Sequence, residues 1–331
     1  MKYIRPIQLG RLQLSNNIFY SPLAGCSDYS YRKIAAHRYR PGLFYCEMVK
    51  MEALVRYDQN TFHLLDYDKD MHPIGAQLCG SNPKIAGQAA KIIESLGFDV
   101  VDLNCGCPVD KVTKDGSGSG MLKNPERIGE ILANMAAAVS IPVTVKIRAG
   151  WDEASINAPA ITSIAEEAGA QAIAIHGRTR KQGYKGNADW SHIQECKKKA
   201  KKIKIIGNGD IFTAENAKNM FLETGCDAIL VSRGTLGKPW IAKEIAESLN
   251  DQDTVFSLTP AEIKNYLLRH IHYIMNYQSS KNALLDIRKV GCWYLRDGRG
   301  TKALRQAINH AKTIQEALNI IHDYPWDETS F

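Results

Sequence analysis

A cysteine pair directly after an apolar run is the part of this sequence best suited to chemistry. Residues 100–104 have the length and composition of one buried strand, and Cys105-Gly106-Cys107-Pro108 follows on a glycine- and proline-containing turn. A thiol is therefore predicted at the C-terminal end of a strand, where parallel α/β folds place their reactive groups. A free cysteine is also among the residue types most often buried, so a purely structural role stays open at this point.

Two glycine-containing segments farther along the chain are suited to binding a phosphate. They read Gly207-Asn208-Gly209-Asp210 and Ser232-Arg233-Gly234, and each closes an apolar run. Glycines let backbone amides approach an anion, and the guanidinium of Arg233 offers several donors to phosphate oxygens. In (β/α)8 enzymes a phosphate is often bound by the loops after strands seven and eight. Together the two segments indicate a phosphorylated cofactor or substrate.

Polar residues also end other apolar runs, where a fold alone would not require them. They are Gln77, Asn104, Lys146 and His176, with Arg148 and Arg178 just beyond. A buried lysine loses hydration unless it meets an anion or an acceptor, although a lysine at a strand end can also extend to water. If the strands form a barrel, these side chains converge on one pocket.

The elements that must position these residues alternate along the first 250 residues. Helix-start signals such as Asn82-Pro83, Asn124-Pro125 and Thr213-Ala214-Glu215 separate eight predicted strands. The predicted strands are residues 18–23, 43–47, 74–78, 100–104, 143–147, 172–176, 203–207 and 228–232. Continuously apolar strands in this alternation indicate an α/β protein with a parallel (β/α)8 TIM barrel, and a doubly wound sheet is the alternative. An amphipathic segment at residues 7–14 predicts a hairpin ahead of the barrel.

After about residue 258 only helix signals remain. Thr259-Pro260-Ala261-Glu262 is a capping box with proline at the first helical position, and Thr313-Ile314-Gln315-Glu316 repeats the capping signature. We therefore expect a barrel domain over residues 1–250 and a C-terminal α-helical bundle domain of three to four helices over residues 258–331.

The predicted bundle is strongly basic. Between Lys264 and Lys312 the sequence has ten Lys or Arg residues and two acids, a surplus of +8 against +7 for the whole chain of 331 residues. Such a surplus is compatible with a polyanionic partner, and a solvated helical surface is the simpler alternative.

The composition argues against several classes of protein. No apolar run approaches the ~18 residues of a membrane span, and the first residues carry no secretory signal. The eight cysteines form no paired framework, and Cys105-x-Cys107 lacks the second pair that a structural zinc site requires. We expect a cytoplasmic monomer with reduced thiols and no bound metal.

A glycine-rich segment at residues 115–120 follows the cysteine pair. It lacks the Lys-Ser/Thr of a Walker A loop. We interpret it as a mobile loop that could close over a substrate or, more simply, as a flexible connection.

Seven short motifs, taken in order, resemble the bacterial FMN-dependent tRNA-dihydrouridine synthase family. The resemblance runs from about residue 18 through the C-terminal helices. The motifs are Ser21-Pro22-Leu23-Ala24-Gly25, Gln77-Leu78-Cys79-Gly80, Asn104-Cys105-Gly106-Cys107-Pro108, Val145-Lys146-Ile147-Arg148, Ile175-His176-Gly177-Arg178-Thr179-Arg180, Gly207-Asn208-Gly209-Asp210 and Gly237-Lys238-Pro239-Trp240.

The resemblance implies roles for individual residues. It makes Cys107 the catalytic proton donor and places Asn104 and Arg178 near the target base. It assigns the binding of FMN to Pro22, Leu23, Ala24, Gln77, Lys146, His176, Asn208, Gly209, Asp210, Ser232 and Arg233. Two positions depart from the family pattern, because Ser232 stands where glycine is frequent and Cys105 where a non-thiol residue is usual. Cys105 makes it ambiguous which thiol acts, and the motif favours Cys107.

The activity that the resemblance implies is reduction of the C5–C6 double bond of uridines in the tRNA D-loop to 5,6-dihydrouridine. FMN reduced by NADPH would deliver hydride to C6, and a thiol, mostly protonated at neutral pH, would give a proton to C5. Lys146 would stabilise the anionic reduced flavin, and the basic helices would bind the tRNA.

Three other functions remain open from the residues alone. A phosphate-binding barrel isomerase or aldolase would use Lys146 in a Schiff base and would be colourless. An FMN-dependent barrel oxidoreductase for free pyrimidines or enones would not need the basic helices. A non-catalytic RNA-binding protein would have little use for polar groups at so many strand ends.

Overall fold

The computed structural model describes residues 3–250, 256–296 and 301–327, and these form a closed parallel barrel followed by helices. An antiparallel hairpin comes first, β1 (Ile7–Leu9) and β2 (Leu12–Leu14). The barrel strands are β3 (Ile18–Tyr20), β4 (Leu43–Lys50), β5 (Ile74–Cys79), β6 (Val100–Cys105), β7 (Val143–Arg148), β8 (Ala172–His176), β9 (Lys204–Asn208) and β10 (Ala228–Val231). Neighbouring strands are parallel, and β10 pairs with both β9 and β3. The predicted barrel and hairpin are confirmed, and closure of the sheet excludes the doubly wound alternative.

Helices cover the outside of the barrel. They are α1 (Tyr29–Ala36), α2 (Met51–Val55), α3 (Gln59–His63), α4 (Pro83–Ser95), α5 (Asp110–Thr113), α6 (Pro125–Ala138), α7 (Ala158–Glu167), α8 (Ser191–Lys199), α9 (Ala214–Thr224) and α10 (Ile241–Asn250). Short 3₁₀ helices lie at Lys69–Met71, Gly118–Lys123, Glu153–Ser155 and Arg233–Thr235. The predicted helix starts at Asn82, Asn124 and Thr213 are confirmed, because each side chain accepts a backbone hydrogen bond from the first turn.

The hairpin closes the N-terminal end of the barrel. Its residues Leu9 and Leu14 are fully buried against residues that begin strands, among them Leu43, Val100 and Ala228. A second, larger apolar layer lies between the strands and the surrounding helices. The C-terminal ends of the strands are thus the ends left for a site.

Two barrel strands differ by three residues in length from their prediction. β3 ends at Tyr20 rather than at residue 23, since Pro22 has no amide hydrogen for the ladder. β4 continues to Lys50 through a shift of register between Tyr45 and Met48. This irregularity brings Met48 to the cavity described below.

Among the described residues, four helices follow the barrel: α11 (Pro260–Tyr277), α12 (Ser280–Tyr294), α13 (Lys302–His310) and α14 (Ile314–Asp323). The predicted capping box of Thr259 and Glu262 is present. The helices share an apolar core that also includes Ile34 of α1 and Trp240 before α10, so the bundle is packed against the barrel. Residues 1–2 and 328–331, which end the predicted domain ranges, lie outside the described residues. In the described part of the chain, no helix combines the length and apolarity needed to span a bilayer.

Part of the glycine-rich segment after the cysteine pair is packed, whereas we expected a mobile loop or a flexible connection. Ser117 and Ser119 are buried, and the Ser119 hydroxyl donates to the carbonyl of Cys107 at 2.9 Å. The segment leads into the 3₁₀ helix at Gly118–Lys123. It therefore supports the loop of Cys107 through a direct contact.

Candidate active site

A cavity of about 390 Å³ opens at the C-terminal ends of the barrel strands. Its volume falls in the range of small-molecule sites, about 300–1,000 Å³. All the residues to which the family resemblance assigns a role line this cavity, except Arg178. They are Pro22, Leu23, Ala24, Gln77, Asn104, Cys107, Lys146, His176, Asn208, Gly209, Asp210, Ser232 and Arg233.

The two cysteines of the motif lie in different surroundings. Cys107 is partly exposed and lines the cavity. Cys105 is fully buried among the apolar residues outside the barrel, and burial raises the pKa of its thiol well above the ordinary value. Of the two thiols, Cys107 is therefore the one that can meet a ligand.

Side chains of two neighbouring strands hold the loop that carries Cys107. The Oδ1 atom of Asn104 accepts hydrogen bonds from the backbone amides of Gly106 and Cys107, at 3.1 and 2.9 Å. From β7, the Nε atom of Arg148 donates to the carbonyl of Gly106 at 2.9 Å. Asn104 is buried and its Nδ2 donates to Gln77 at 2.7 Å, so its contact with a target base stays a prediction.

Lys146 extends from β7 into the cavity and is held there by Asn208. Its Nζ donates to Asn208 Oδ1 at 3.0 Å, while Asn208 donates to the carbonyl of Leu230 and to the hydroxyl of Ser232. Burial, together with the nearby charge of Arg148, lowers the pKa of Lys146 to about 8. The ammonium group is thus mostly protonated at neutral pH, but its charge is lost at a lower pH than for an exposed lysine.

His176 is a neutral polar group in this cavity. Burial, with the positive charges of Lys146 and neighbouring arginines, lowers the pKa of its imidazole well below the ordinary value. Nη1 of Arg178 lies 3.4 Å from Nε2 of His176, so the neutral ring accepts there and carries its hydrogen on Nδ1.

The loops after β9 and β10 have the backbone freedom and the cation expected of a phosphate site. Gly209 has φ of 120°, and a Cβ atom there would lie 2.8 Å from the Cβ of Ala188, so a larger residue would not fit. Arg233 lies with its guanidinium carbon 4.5 Å from the centre of the Tyr184 ring, and one of its five N–H donors faces Asp210 at 3.3 Å. Its remaining donors can serve an anion.

Asp210 would repel a phosphate unless its charge were compensated. Arg178 supplies this compensation through two hydrogen bonds of 2.8 and 2.7 Å to the carboxylate, and the amide of Ala188 adds a third at 2.8 Å. Burial alone would raise the pKa of Asp210, but these bonds hold it below its ordinary value. Arg178 is 2% exposed, so the structure shows it supporting Asp210, and its contact with a target base stays a prediction.

Comparisons with known proteins identify the family. The family model described as dihydrouridine synthase (Dus) matches residues 19–326 of this chain. The chain belongs to the dihydrouridine synthase family. It is 35% identical to the probable tRNA-dihydrouridine synthase 1 of Synechocystis sp., an alignment that covers 96% of this chain and 89% of the relative. It is also 35% identical to the tRNA-dihydrouridine synthase B of Pasteurella multocida, over 94% of this chain and 93% of the relative. The family resemblance is confirmed.

Solved structures share the barrel fold with this dihydrouridine synthase family member at low sequence identity. Histamine dehydrogenase from Rhizobium sp. 4-9 superposes with a TM-score of 0.54 at 12% identity, covering 81% of this chain and 50% of that one. A complex of 2-naphthoyl-CoA reductase gives 0.54 at 13% identity, covering 76% and 52%. The chain therefore spans about half the length of these structures, and the likeness is one of fold.

Sequence reasoning missed several cavity residues of this family member. Tyr184 lies in the long connection after β8, where neither a strand end nor a short motif marks it. The guanidinium group of Arg233 packs against its ring. Met48 reaches the cavity because of the irregularity in β4, which apolar periodicity does not reveal. Other unassigned lining residues are mostly apolar: Cys26, Val109, Ile211, Phe212, Leu230 and Leu236.

The basic residues of the helical bundle fall into two groups. Arg288 donates to the carbonyl of Ala311 at 2.9 Å within the bundle, and Lys289 donates to the carbonyl of Gly25 in the barrel at 2.7 Å. Lys281, Lys302 and Lys312 are exposed. The surplus of charge is thus partly used for internal bonds. Within residues 3–250, 256–296 and 301–327, no group of three or more His, Cys, Asp or Glu side chains is arranged to hold a metal ion.

Proposed function

We propose that this protein is a tRNA-dihydrouridine synthase that uses FMN, reduced by NADPH, to reduce uridines of the tRNA D-loop. The observation that carries the proposal is the composition of one cavity. The Cys107 thiol, the Lys146 ammonium group and the glycine loop with Arg233 line the same space of about 390 Å³. The family membership of the chain and the activity in the names of its relatives support the same reaction.

The cavity lining fits a flavin mononucleotide. Its phosphate end would lie against the loops after β9 and β10, where Gly209 leaves room, Arg233 offers donors and Arg178 compensates the charge of Asp210. Its ring would meet apolar side chains such as Leu23 together with polar groups such as Gln77. The bound flavin would supply the hydride for C6 of the uracil.

The chain's own residues would supply the remaining chemistry. The thiol of Cys107 would donate the proton that C5 takes up, because it is the acidic group that Asn104 and Arg148 hold at the cavity. The ammonium group of Lys146, fixed by Asn208, would stabilise negative charge in the cavity. His176 would contribute as a neutral hydrogen-bonding group, since its pKa is low.

The tRNA would contact both the barrel, which is the catalytic domain, and the helical bundle. A uracil in folded RNA is stacked or paired, so it must be extracted into the cavity at a cost of a few kcal/mol, which contacts to the RNA backbone offset. Exposed lysines of the bundle are suited to these backbone contacts. Because the proposed substrate is tRNA, we place this activity in the cytoplasm. We also propose that the protein acts as a monomer.

Purified protein tests the proposal directly. It should be yellow, release FMN on denaturation, oxidise NADPH and form dihydrouridine in tRNA from a strain that lacks the protein, as measured by nucleoside mass spectrometry. Equal reduction of free uridine and tRNA would favour the oxidoreductase for free pyrimidines, and a colourless protein that binds no flavin would exclude both.

A further inference from the structure

A buried carboxylate lies behind the cavity, and the roles assigned above do not use it. Asp102 belongs to β6, is 4% exposed and does not line the cavity. It accepts hydrogen bonds from Nε2 of Gln77 at 2.7 Å and from the hydroxyl of Thr144 at 2.6 Å. A buried carboxylate costs free energy unless it is bonded in this way, so its presence in the barrel interior needs a reason.

Asp102 is the last acceptor of a directed chain of hydrogen bonds that begins at the thiol loop. The amides of Gly106 and Cys107 donate to Oδ1 of Asn104, which turns Nδ2 of Asn104 toward Oε1 of Gln77 at 2.7 Å. Gln77 must then present Nε2 to Asp102. Reversing either side-chain amide would bring two donors or two acceptors face to face, so the direction of the whole chain depends on an acceptor at its end.

We propose that Asp102 is a positioning residue for the thiol of Cys107, because it fixes the orientation of the side-chain amides of Gln77 and Asn104 and thereby the turn that presents Cys107 to the cavity. The proposal rests on the proposed function in so far as Cys107 is the proton donor. Burial raises the pKa of Asp102 to about 6, and the group is still ionised and acceptor-only at neutral pH.

Two variants of Asp102 separate the acceptor from the rest of the side chain. Asp102→Asn keeps an oxygen that can accept from Gln77, whereas Asp102→Leu is similar in size and keeps none. With prereduced enzyme in single turnover, the Leu variant should reduce uridine in tRNA about tenfold more slowly or worse, and the Asn variant should stay within about threefold of wild type. Reduction of the flavin by NADPH should change less than uridine reduction in both variants, because that half-reaction does not use the thiol.

Thr144→Val is the matched control. It removes a hydrogen bond to the same carboxylate but leaves the chain from Gln77 to Cys107 intact. Uridine reduction by this variant should stay close to that of wild type. A loss as large as that of Asp102→Leu would mean a general disturbance of the barrel interior and would overturn the proposal.

Alkylation of Cys107 by iodoacetamide, followed by peptide mass spectrometry, tests the positioning without any assumption about activity. The rate at Cys107 should change at least threefold in Asp102→Leu and little in Asp102→Asn, while the partly exposed Cys292 reports on global structure. If Asp102→Leu does not fold, Gln77→Met cuts the same chain one bond nearer the thiol and must change the Cys107 rate. An unchanged rate of Cys107 alkylation in the variant that interrupts the hydrogen-bond chain would overturn the proposal. Equal impairment of the Asn and Leu variants would also overturn it. If the alkylation rates change as expected but the wild-type protein has no synthase activity, only the proposed function is contradicted.

Discussion

The C-terminal ends of the barrel strands around the cavity, called the mouth of the barrel below, and the helical bundle are both rich in polar and charged residues. The two regions hold these residues differently. In the mouth, side chains from several strands bond to one another, as Lys146 does to Asn208 and Asn208 to Ser232. In the bundle, Lys281 and Lys302 are exposed to solvent, while Arg288 is bonded inside the protein. The barrel topology therefore fixes the position of a polar residue at a strand end. A cationic side chain on a bundle helix can instead contact RNA, bond to another part of the protein or remain in solvent.

The largest effect should come from removing the cavity thiol. Cys107→Ala should lower dihydrouridine formation about 10²- to 10⁴-fold, because a positioned general acid contributes this much, while flavin content stays normal. Cys105→Ala is the control, since Cys105 is buried outside the cavity, and it should be mild. Single-turnover assays with prereduced enzyme measure the difference, and reversed phenotypes would mean that Cys105 is the acid.

The next largest effect concerns the phosphate end of the cavity. Arg233→Ala should weaken FMN binding about ten- to a hundredfold, because charged hydrogen bonds to phosphate contribute about 1.5–3 kcal/mol. Fluorescence titration of the apoprotein with FMN measures the affinity, and Arg180→Ala is a control because Arg180 pairs with Asp110 away from the cavity. An unchanged dissociation constant in Arg233→Ala would place the phosphate elsewhere.

Much of the mouth could be predicted because a parallel barrel brings all its strand ends together. Once eight apolar runs were recognised, residues as distant in sequence as Pro22 and Ser232 had to face the same space. Tyr184 and Met48 could not be predicted, since one lies in a long loop and the other depends on a strand irregularity. The ion pair of Arg178 with Asp210 was also unforeseen, because residue type alone does not say whether an arginine faces a ligand or a neighbour.

The sequence predicts how much positive charge the bundle has, but not which groups its basic side chains contact. The sequence shows the surplus between Lys264 and Lys312, and helix periodicity shows which positions are apolar. It does not show that Arg288 binds a carbonyl across the bundle or that Lys289 reaches the barrel. Such bonds depend on how helices pack, which local pattern does not determine.

The charge of Lys146 gives the mouth a pH dependence that the bundle should lack. Lys146 is cationic below its pKa of about 8 and neutral above it, so flavin reduction by NADPH should fall as pH rises through 8 if the charge supports this step. The fall should approach tenfold per pH unit and should be absent in Lys146→Met, which is slow at all pH values. Stopped-flow reduction measures this half-reaction without the thiol. A flat wild-type profile from pH 7 to 9.5 would exclude a role for the charge.

Exposed lysines of the bundle should affect RNA binding and leave the flavin unaffected. Replacing Lys281, Lys302 and Lys312 with Gln should weaken tRNA binding on the order of tenfold. The slope of log affinity against log salt concentration should become less steep by up to about 3, because each neutralised phosphate contributes about 0.9. NADPH oxidation by the bound flavin should not change. Wild-type affinity and slope in the triple variant would show that these lysines are only a solvated surface and would direct the search to the barrel rim around Arg180.

The smallest expected effect lies at a hydrogen bond that joins the two regions. Nζ of Lys289 on α12 donates to the carbonyl of Gly25, which directly follows the cavity residues Pro22, Leu23 and Ala24. Gly25 has φ of 71°, and its amide donates to Glu47, so this turn is held from the barrel side and from the bundle side.

Lys289→Met keeps the aliphatic stem but removes the donor and the charge. Because one hydrogen bond at a half-buried site contributes about 0.5–1.5 kcal/mol, FMN binding should weaken about two- to tenfold. Lys281→Met, on the same helix but exposed, should leave FMN affinity unchanged. If the contact also transmits tRNA binding to the flavin, saturating tRNA should alter FMN affinity in wild type and in Lys281→Met but not in Lys289→Met, since coupling between two ligands is reciprocal. Equal FMN affinities for Lys289→Met and wild type, with and without tRNA, would show that the bundle only packs against the barrel and that the two regions act independently.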